Sequence, residues 1–274
     1  MIQLAIFDLD GFLVNTEQLK AISYARAVAA LCPGKVAEAE VLSAYKEMRA
    51  REVSENSFIC SISETDVVEA YKDLVGRSRQ EMAEGLVKRF ALEDPLRPYM
   101  EKYSVSEPWQ ALVKVRMPLY EDLISNPETI LSNQWSHNVS LVHFMRNAGY
   151  RTALATMSDR EHVQRILGII ALEKSFDLVV SGEDVSKGKP DPEIYLRISN
   201  ELRIPKSDCL VFEDSLTGVK GGLAAGMWVI AVTTAFTEQG VHASGILEDK
   251  WIVDDPSRLQ AVVGNMLKER QDNG

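Results

Sequence analysis

Six short apolar runs divide this chain, and the segments between most of them carry helical spacing. They are Ile2–Phe7, Thr152–Thr156, Asp177–Ser181, Cys209–Phe212, Trp228–Val232 and Trp251–Val253, the last reading as an edge strand. Runs of this length that are apolar throughout, not alternating with polar residues, suit strands buried on both faces. The intervening segments bear helix signals. Leu141, Val142 and Met145 form one face of a helix that ends at Asn147-Ala148-Gly149, with Gly149 as its C-cap. Ser158 and Glu161 read as a capping box, and Asp191-Pro192-Glu193 as an N-cap, an N1 proline and early acidic charge. Strands alternating with helices predict an α/β fold built on a doubly wound parallel sheet.

From about Thr16 to Gln134 the pattern changes. Strand-like runs are scarce, Ala, Glu, Lys and Leu dominate, and helical spacing recurs, as in Val67/Val68/Tyr71/Leu74 and Met82/Leu86/Phe90. The chain thus reads as a first strand, a long helical stretch and a return to strand–helix alternation. With 274 residues, 46% of them hydrophobic, it can bury a substantial core.

A formal charge of -10 with no dense basic stripe argues against nucleic acid as a partner. An acidic protein that handles an anionic substrate must instead build a local positive pocket from a few Lys or Arg residues. No apolar stretch reaches the roughly 20 residues of a membrane span. Ile2–Phe7 lacks the basic start and length of a signal peptide. Cys32, Cys60 and Cys209 are widely spaced and match neither a metal site nor an even disulfide set, so a reduced, cytoplasmic protein is expected.

Open parallel sheets bind ligands at the carboxyl ends of their strands. The residues predicted there are Asp8, Asp10, Thr156, Ser158 and the pair Glu213-Asp214. Carboxylates gathered at one edge repel one another, and a hard divalent cation with oxygen ligands resolves that conflict. A carboxylate screened by such a cation can attack phosphorus, and a second acid two residues on can protonate the leaving oxygen. Lys187 and Lys189, on the loop before a predicted helix, are candidates for the cation that holds the phosphoryl oxygens.

These residues carry a resemblance. Phe7-Asp8-Leu9-Asp10-Gly11-Phe12-Leu13-Val14-Asn15-Thr16-Glu17 resembles motif I of the haloacid dehalogenase superfamily, in the branch of beta-phosphoglucomutase and many small-molecule phosphatases. Thr156 resembles motif II, Lys189 in Gly-Lys-Pro-Asp-Pro-Glu-Ile-Tyr motif III, and Phe212-Glu213-Asp214-Ser215 motif IV, in the family's order. The resemblance implies a Rossmann-like core, residues 1–17 plus 135–274, and an inserted, mainly helical cap, residues 18–134. Asp8 would be the nucleophile that forms an aspartyl-phosphate, and Asp10 the general acid/base. Thr156 would bond the transferring phosphoryl group and Lys189 would neutralise it. Mg2+ would be held by Asp8, the Asp10 backbone carbonyl and Asp214, with Glu213 in support. Because the dehalogenases lack an acid at the position of Asp10, carbon–halogen cleavage is not expected.

Leu74-Val75-Gly76-Arg77-Ser78-Arg79-Gln80-Glu81 resembles the substrate loop of the family's cap. Arg77, Arg79, Lys20 and Ser158 are the candidate substrate-binding residues. The cap carries roughly 30 residues more than the common pattern before this loop, in a stretch that includes Ala37–Asp66, and about a dozen more after it. The function implied is Mg2+-dependent hydrolysis of a small phosphorylated metabolite. Alternatives are a sugar-phosphate mutase, a phosphonate hydrolase that uses Lys20, and a non-catalytic binding or regulatory module. Lys20 stands where mutase-like relatives carry histidine, and Met157-Ser158-Asp159-Arg160 lacks the mutase's lysine, although Arg160 could supply the cation. The sequence leaves oligomeric state open. Gly218, Gly221, Gly222 and Gly226 lack the spacing of a nucleotide loop and read as close helix–sheet packing.

Overall fold

The computed structural model describes residues 1–32, 62–75 and 79–272. Cys60, Arg77 and most of the stretch Ala37–Asp66 lie outside these residues. Strands β1 (Leu4–Phe7), β2 (Arg151–Ala155), β3 (Leu178–Val180), β4 (Cys209–Glu213), β5 (Trp228–Val232) and β6 (Ile252–Val253) form one parallel sheet. Their order is β3-β2-β1-β4-β5-β6, so each predicted run is a strand and the last one is an edge.

The chain divides into two compact units: Met1–Glu17 with Ile124–Gly274, which holds the sheet, and Gln18–Leu123. The second unit is helical in its described residues, with most of α1 (Thr16–Leu31), α2 (Glu64–Lys72), α3 (Arg79–Arg89), α4 (Glu93–Tyr103) and most of α5 (Pro108–Ser125). Apolar positions at helical spacing form its core: Val67, Ala70 and Tyr71 on α2, and Met82, Leu86 and Val87 on α3. Within the same unit the Arg116 guanidinium is buried between the rings of Tyr24 and Tyr120, 4.9 and 4.4 Å from their centroids. Its Nε donates to Ser23 Oγ at 2.7 Å. The π faces and this bond compensate part of the cost of burying the charge.

In the sheet unit, α6 (Pro127–Ser132) and α7 (Ser136–Asn147) precede β2, and α8 (Arg160–Ile169) and α9 (Glu193–Leu202) flank β3 in sequence. α10 (Leu216–Ala224) follows β4, α11 (Glu238–Ser244) follows β5, and α12 (Leu259–Asp272) ends the chain. Period-two alternation sends neighbouring strand residues to opposite faces. Leu4 and Ile6 enter one core with Ile194 and Ile198 of α9 and Val219 of α10. Phe7, on the other face, stacks on Phe212 with ring centroids 4.9 Å apart and meets Phe12 at 6.1 Å. Both faces are covered, which explains why the strands are apolar throughout.

The chain runs from β1 outward through β2 and β3, then returns to β4 on the far side of β1. This reversal opens a crevice at the carboxyl end of β1, the place where such sheets bind ligands. Phe7 pairs with Leu154 and with Phe212, so one residue further on Asp8, Ala155 and Glu213 stand level at that edge.

Local signals hold with two revisions. Gly149 follows α7 with φ +88°, the left-handed conformation of a helix-ending glycine. Asp191 Oδ1 accepts the Glu193 amide at 3.0 Å, but the N-cap of α9 is Pro192 and not Asp191, so the proline stands just before the first helical residue and not at N1. Ser158, however, does not cap α8: the N-cap is Asp159, with no side-chain cap bond, and the Ser158 hydroxyl is engaged by Asp10. The glycines of α10 bring that helix flush against its neighbours. A Cβ at Gly218 would lie 1.9 Å from Glu213 Cδ, and one at Gly222 would lie 2.9 Å from Val229 Cγ2. Among the described residues no helix is long and apolar enough to cross a membrane.

Two measurements test this packing. Gly218→Ala should destabilise the fold by about 1–3 kcal/mol in urea unfolding, because the added methyl overpacks against Glu213. Gly264→Ala in α12, where a Cβ meets nothing within 4 Å, should stabilise by roughly 0.5–1 kcal/mol. At the carboxyl edge of β5 and β6, His242 Nε2 lies 3.0 Å from Asp254 Oδ1, which also accepts from Thr233 Oγ1 at 2.7 Å. The bond to Asp254 holds the His242 imidazole above its ordinary value. The pair's stabilisation is therefore full below the ordinary imidazole pKa and is lost as pH rises through the raised one. NMR titration of His242 should show this raised value, and Asp254→Asn should lower it.

Candidate active site

The site grows from the three level strand ends. Asp8 follows β1 and is 5% exposed, while Glu213 ends β4 and Asp214 follows it, both at 1% or less. Lys189 reaches into this acidic group from the loop before α9. Its Nζ donates to Asp8 Oδ1 at 2.6 Å, Glu213 Oε1 at 2.5 Å and the Ala155 carbonyl at 2.9 Å. These bonds use the three hydrogens of an ammonium. Lys187, the other candidate cation, is 73% exposed and lies 3.8 Å from Asp191, so the structure separates the two lysines.

Glu213 is held as firmly as it holds. Tyr195 Oη donates to Glu213 Oε1 at 2.8 Å, and Ser215 Oγ donates to Oε2 at 3.1 Å. Sequence reasoning placed Tyr195 inside the Gly-Lys-Pro-Asp-Pro-Glu-Ile-Tyr motif without giving it a role. Its position in the first turn of α9, two residues past Glu193, is the signal that turns it toward β4.

Asp10 lies in a cage of hydroxyls. Thr16 Oγ1 donates to its Oδ1 at 2.8 Å, and Thr156 Oγ1 and Ser158 Oγ donate to its Oδ2 at 2.9 and 2.7 Å. The Ser158 amide in turn donates to Thr156 Oγ1 at 3.1 Å. Gly11, beside it, has φ +88°, and a Cβ there would fall 2.1 Å from Asp214 Oδ2. Only glycine satisfies both the turn and the close approach.

Among the described residues, four carboxylates, Asp8, Asp10, Glu213 and Asp214, thus share the site with one ammonium. Burial pushes the Asp8 carboxyl well above the usual carboxylate range, and Glu213 and Asp10 add to this against the pull of Lys189. Burial likewise raises Asp214, reinforced by Asp8, Glu213 and Glu17. Burial alone would lower Lys189, but Asp8 and Glu213 outweigh it and hold the ammonium well above its ordinary value. Ligand oxygens of Asp8, Glu213 and Asp214 lie within 4.8 Å of one another, and Asp214 Oδ1 is buried without a hydrogen-bond partner. An all-oxygen donor set with excess negative charge and an orphaned carboxylate oxygen fits a hard divalent cation.

Of the predicted site residues, Asp8, Asp10, Thr156, Ser158, Lys189, Glu213 and Asp214 come together at one sheet edge. Lys20, half-buried in α1, and Arg79, exposed at the start of α3, belong to the Gln18–Leu123 unit. Arg77 lies outside the described residues.

Comparison with known proteins gives this site a lineage. A phosphorylated carbohydrates phosphatase of Thermotoga maritima is 38% identical over 86 residues, which cover 31% of this chain and 40% of that protein. Across four curated relatives the matched stretches cover 13 to 44% of the relative's own length. A HAD family hydrolase from Deinococcus radiodurans, solved with bound phosphate and sodium, aligns with a TM-score of 0.63 at 18% identity, covering 96% of each chain. A beta-phosphoglucomutase from Clostridium difficile aligns with a TM-score of 0.59 at 17% identity, covering 97% of this chain and 99% of the other. These two structures share the fold. The model of the haloacid dehalogenase-like hydrolase family matches residues 2–226, from β1 to the end of α10, and the chain belongs to that family.

Proposed function

We propose that this chain hydrolyses a small phosphomonoester with Mg2+, by way of an aspartyl-phosphate on Asp8. The observation that carries this reading is the grip of Lys189 on Asp8 at 2.6 Å, in a buried crevice with a second acid, Asp10, two residues away. Burial disfavours an ionised Asp8, yet the nucleophile must be ionised. Lys189 supplies part of the compensation. Asp8, the Asp10 carbonyl and Asp214 would hold Mg2+, with Glu213 in support. When bound, Mg2+ screens Asp8 and neutralises phosphoryl oxygens.

The chain's own residues then have separate tasks. Asp8 attacks phosphorus as the bond to the leaving oxygen breaks, and Lys189 shares its hydrogens with the transferring group. Thr156 turns its hydroxyl from Asp10 to a phosphoryl oxygen. Asp10 gives a proton to the leaving oxygen and later takes one from the water that releases phosphate. Glu213, fixed by Tyr195 and Ser215, keeps Lys189 in place. The helical unit would serve as the cap, and Lys20, Arg77 and Arg79 would be its substrate-binding residues. The name of the Thermotoga relative supports a phosphorylated carbohydrate as the substrate class.

For a mutase, Arg160 would have to replace the missing lysine after Thr156. Its Nη2 instead donates to Asp184 Oδ1 at 2.6 Å, and Asp184 also accepts the amide and hydroxyl of Ser181. Hydrolysis is the reading this favours.

Phosphate release from a panel of small phosphomonoesters should require Mg2+ and fall at least about a thousandfold in Asp8→Asn. No release from any ester by folded, Mg2+-binding protein would overturn hydrolysis. Removing the ammonium tests the electrostatics separately. Lys189→Met leaves Asp8 and Glu213 buried without their cation and should lose roughly 3–5 kcal/mol of stability at neutral pH. Asp8, already raised by burial and now without its cation, then binds its proton more tightly folded than unfolded, so the deficit should shrink as pH falls. Denaturant unfolding at two pH values measures this.

A further inference from the structure

Ser158 was expected to touch substrate, but the hydrogen bonds around it point elsewhere. Its hydroxyl lies 2.7 Å from Asp10 Oδ2, shorter than the bonds from Thr16 and Thr156 to the same carboxyl group, at 2.8 and 2.9 Å. Its amide donates to Thr156 Oγ1 at 3.1 Å, so the Thr156 oxygen accepts from Ser158 while its single proton goes to Asp10. The Ser158 carbonyl accepts the Gly182 amide at 3.2 Å, which ties this turn to the end of β3. A Cβ at Gly182 would fall 2.6 Å from the Met157 carbonyl oxygen, so the turn is also packed closely from behind. Ser158 is therefore a rigidly seated donor aimed at one oxygen of the acid/base.

Three hydroxyls hold Asp10 before reaction, and one of them has a second use. Thr156 has one proton, and a phosphoryl oxygen and Asp10 compete for it. Once Thr156 donates to the phosphoryl group, Ser158 still donates to Oδ2, while Thr16 continues to hold Oδ1 from the first turn of α1. We propose that Ser158 is a positioning residue that keeps the Asp10 carboxyl group aligned for proton transfer after Thr156 has turned to the substrate. This rests on the reading of the site as a phosphomonoesterase. It assigns Ser158 to the acid/base and not to recognition of the leaving group.

A positioning role and a substrate-binding role give different kinetics. Loss of proton donation slows esters whose leaving group is a poor one, such as an alkoxide, far more than p-nitrophenyl phosphate, whose leaving group departs unprotonated. The parameter to compare is kcat/KM, because it reports steps up to the first irreversible one and excludes the later attack by water. For Ser158→Ala the loss in kcat/KM should be about tenfold greater on an alkyl phosphate than on p-nitrophenyl phosphate. KM should change little, and Ser158→Thr, which restores a hydroxyl, should recover most of the difference. An equal loss on both esters, or a loss confined to KM, would overturn the proposal. A crystal structure of Ser158→Ala with inorganic phosphate in the site, so that Thr156 donates to the phosphate, provides a test that does not depend on turnover. The Asp10 carboxyl group should rotate away from its present place beside Thr156, and an unmoved Asp10 would overturn the positioning role whatever the activity. Absence of phosphate release by the parent enzyme on either ester would instead count against the hydrolase reading itself.

Discussion

The Lys189 ammonium, bound to Asp8 at 2.6 Å and to Glu213 at 2.5 Å, is the interaction on which the rest of the site depends. Its side chain is 6% exposed, so the charge is withdrawn from water and must be matched by partners inside the protein. Each partner is fixed by a different element: Asp8 by β1, Glu213 by β4 with Tyr195 of α9, and the Ala155 carbonyl by β2. The parallel register that sets these strand ends level therefore has an electrostatic purpose beyond hydrogen bonding. The balance is deliberately incomplete, since the carboxylates outnumber the ammonium. That excess makes the crevice receptive to a divalent cation and to the proton transfers that phosphoryl chemistry requires.

Much of this was legible in the sequence because it depends on backbone position. Apolar runs that end on acids predict strands with carboxylates at one edge, and strand order then carries Asp8, Glu213 and Asp214 to the same crevice. Gly11 was legible too, since a glycine beside a strand-end acid implies a turn. Other features depend on which partner a side chain selects, and local pattern does not encode that choice. Ser158 and Glu161 have the spacing of a capping box, yet Asp10, distant in sequence, takes the Ser158 hydroxyl. Spacing alone leaves Lys187 and Lys189 alike; the family resemblance singles out Lys189, and the structure buries Lys189 while leaving Lys187 exposed. Tyr195 has no role legible in its motif until β4 is placed beside it.

The two compact units divide the chemistry differently. The sheet unit contains the full set of acids, hydroxyls and lysine. The helical unit contributes packed surfaces and buried polarity, such as Arg116 between Tyr24 and Tyr120. On the proposed reading the first unit would determine what bond is broken and the second would select the molecule that carries it. Four of the curated relatives match over less than half of their own length.

The central claim is that Asp8 becomes covalently phosphorylated. It is tested most directly by quenching the enzyme during turnover, reducing any acyl-phosphate with borohydride and sequencing the peptides by mass spectrometry. We expect homoserine at position 8 only, formed when substrate and Mg2+ are both present. Unmodified aspartate at position 8 during rapid phosphate release, or homoserine at another carboxylate, would contradict the assignment of Asp8 as nucleophile.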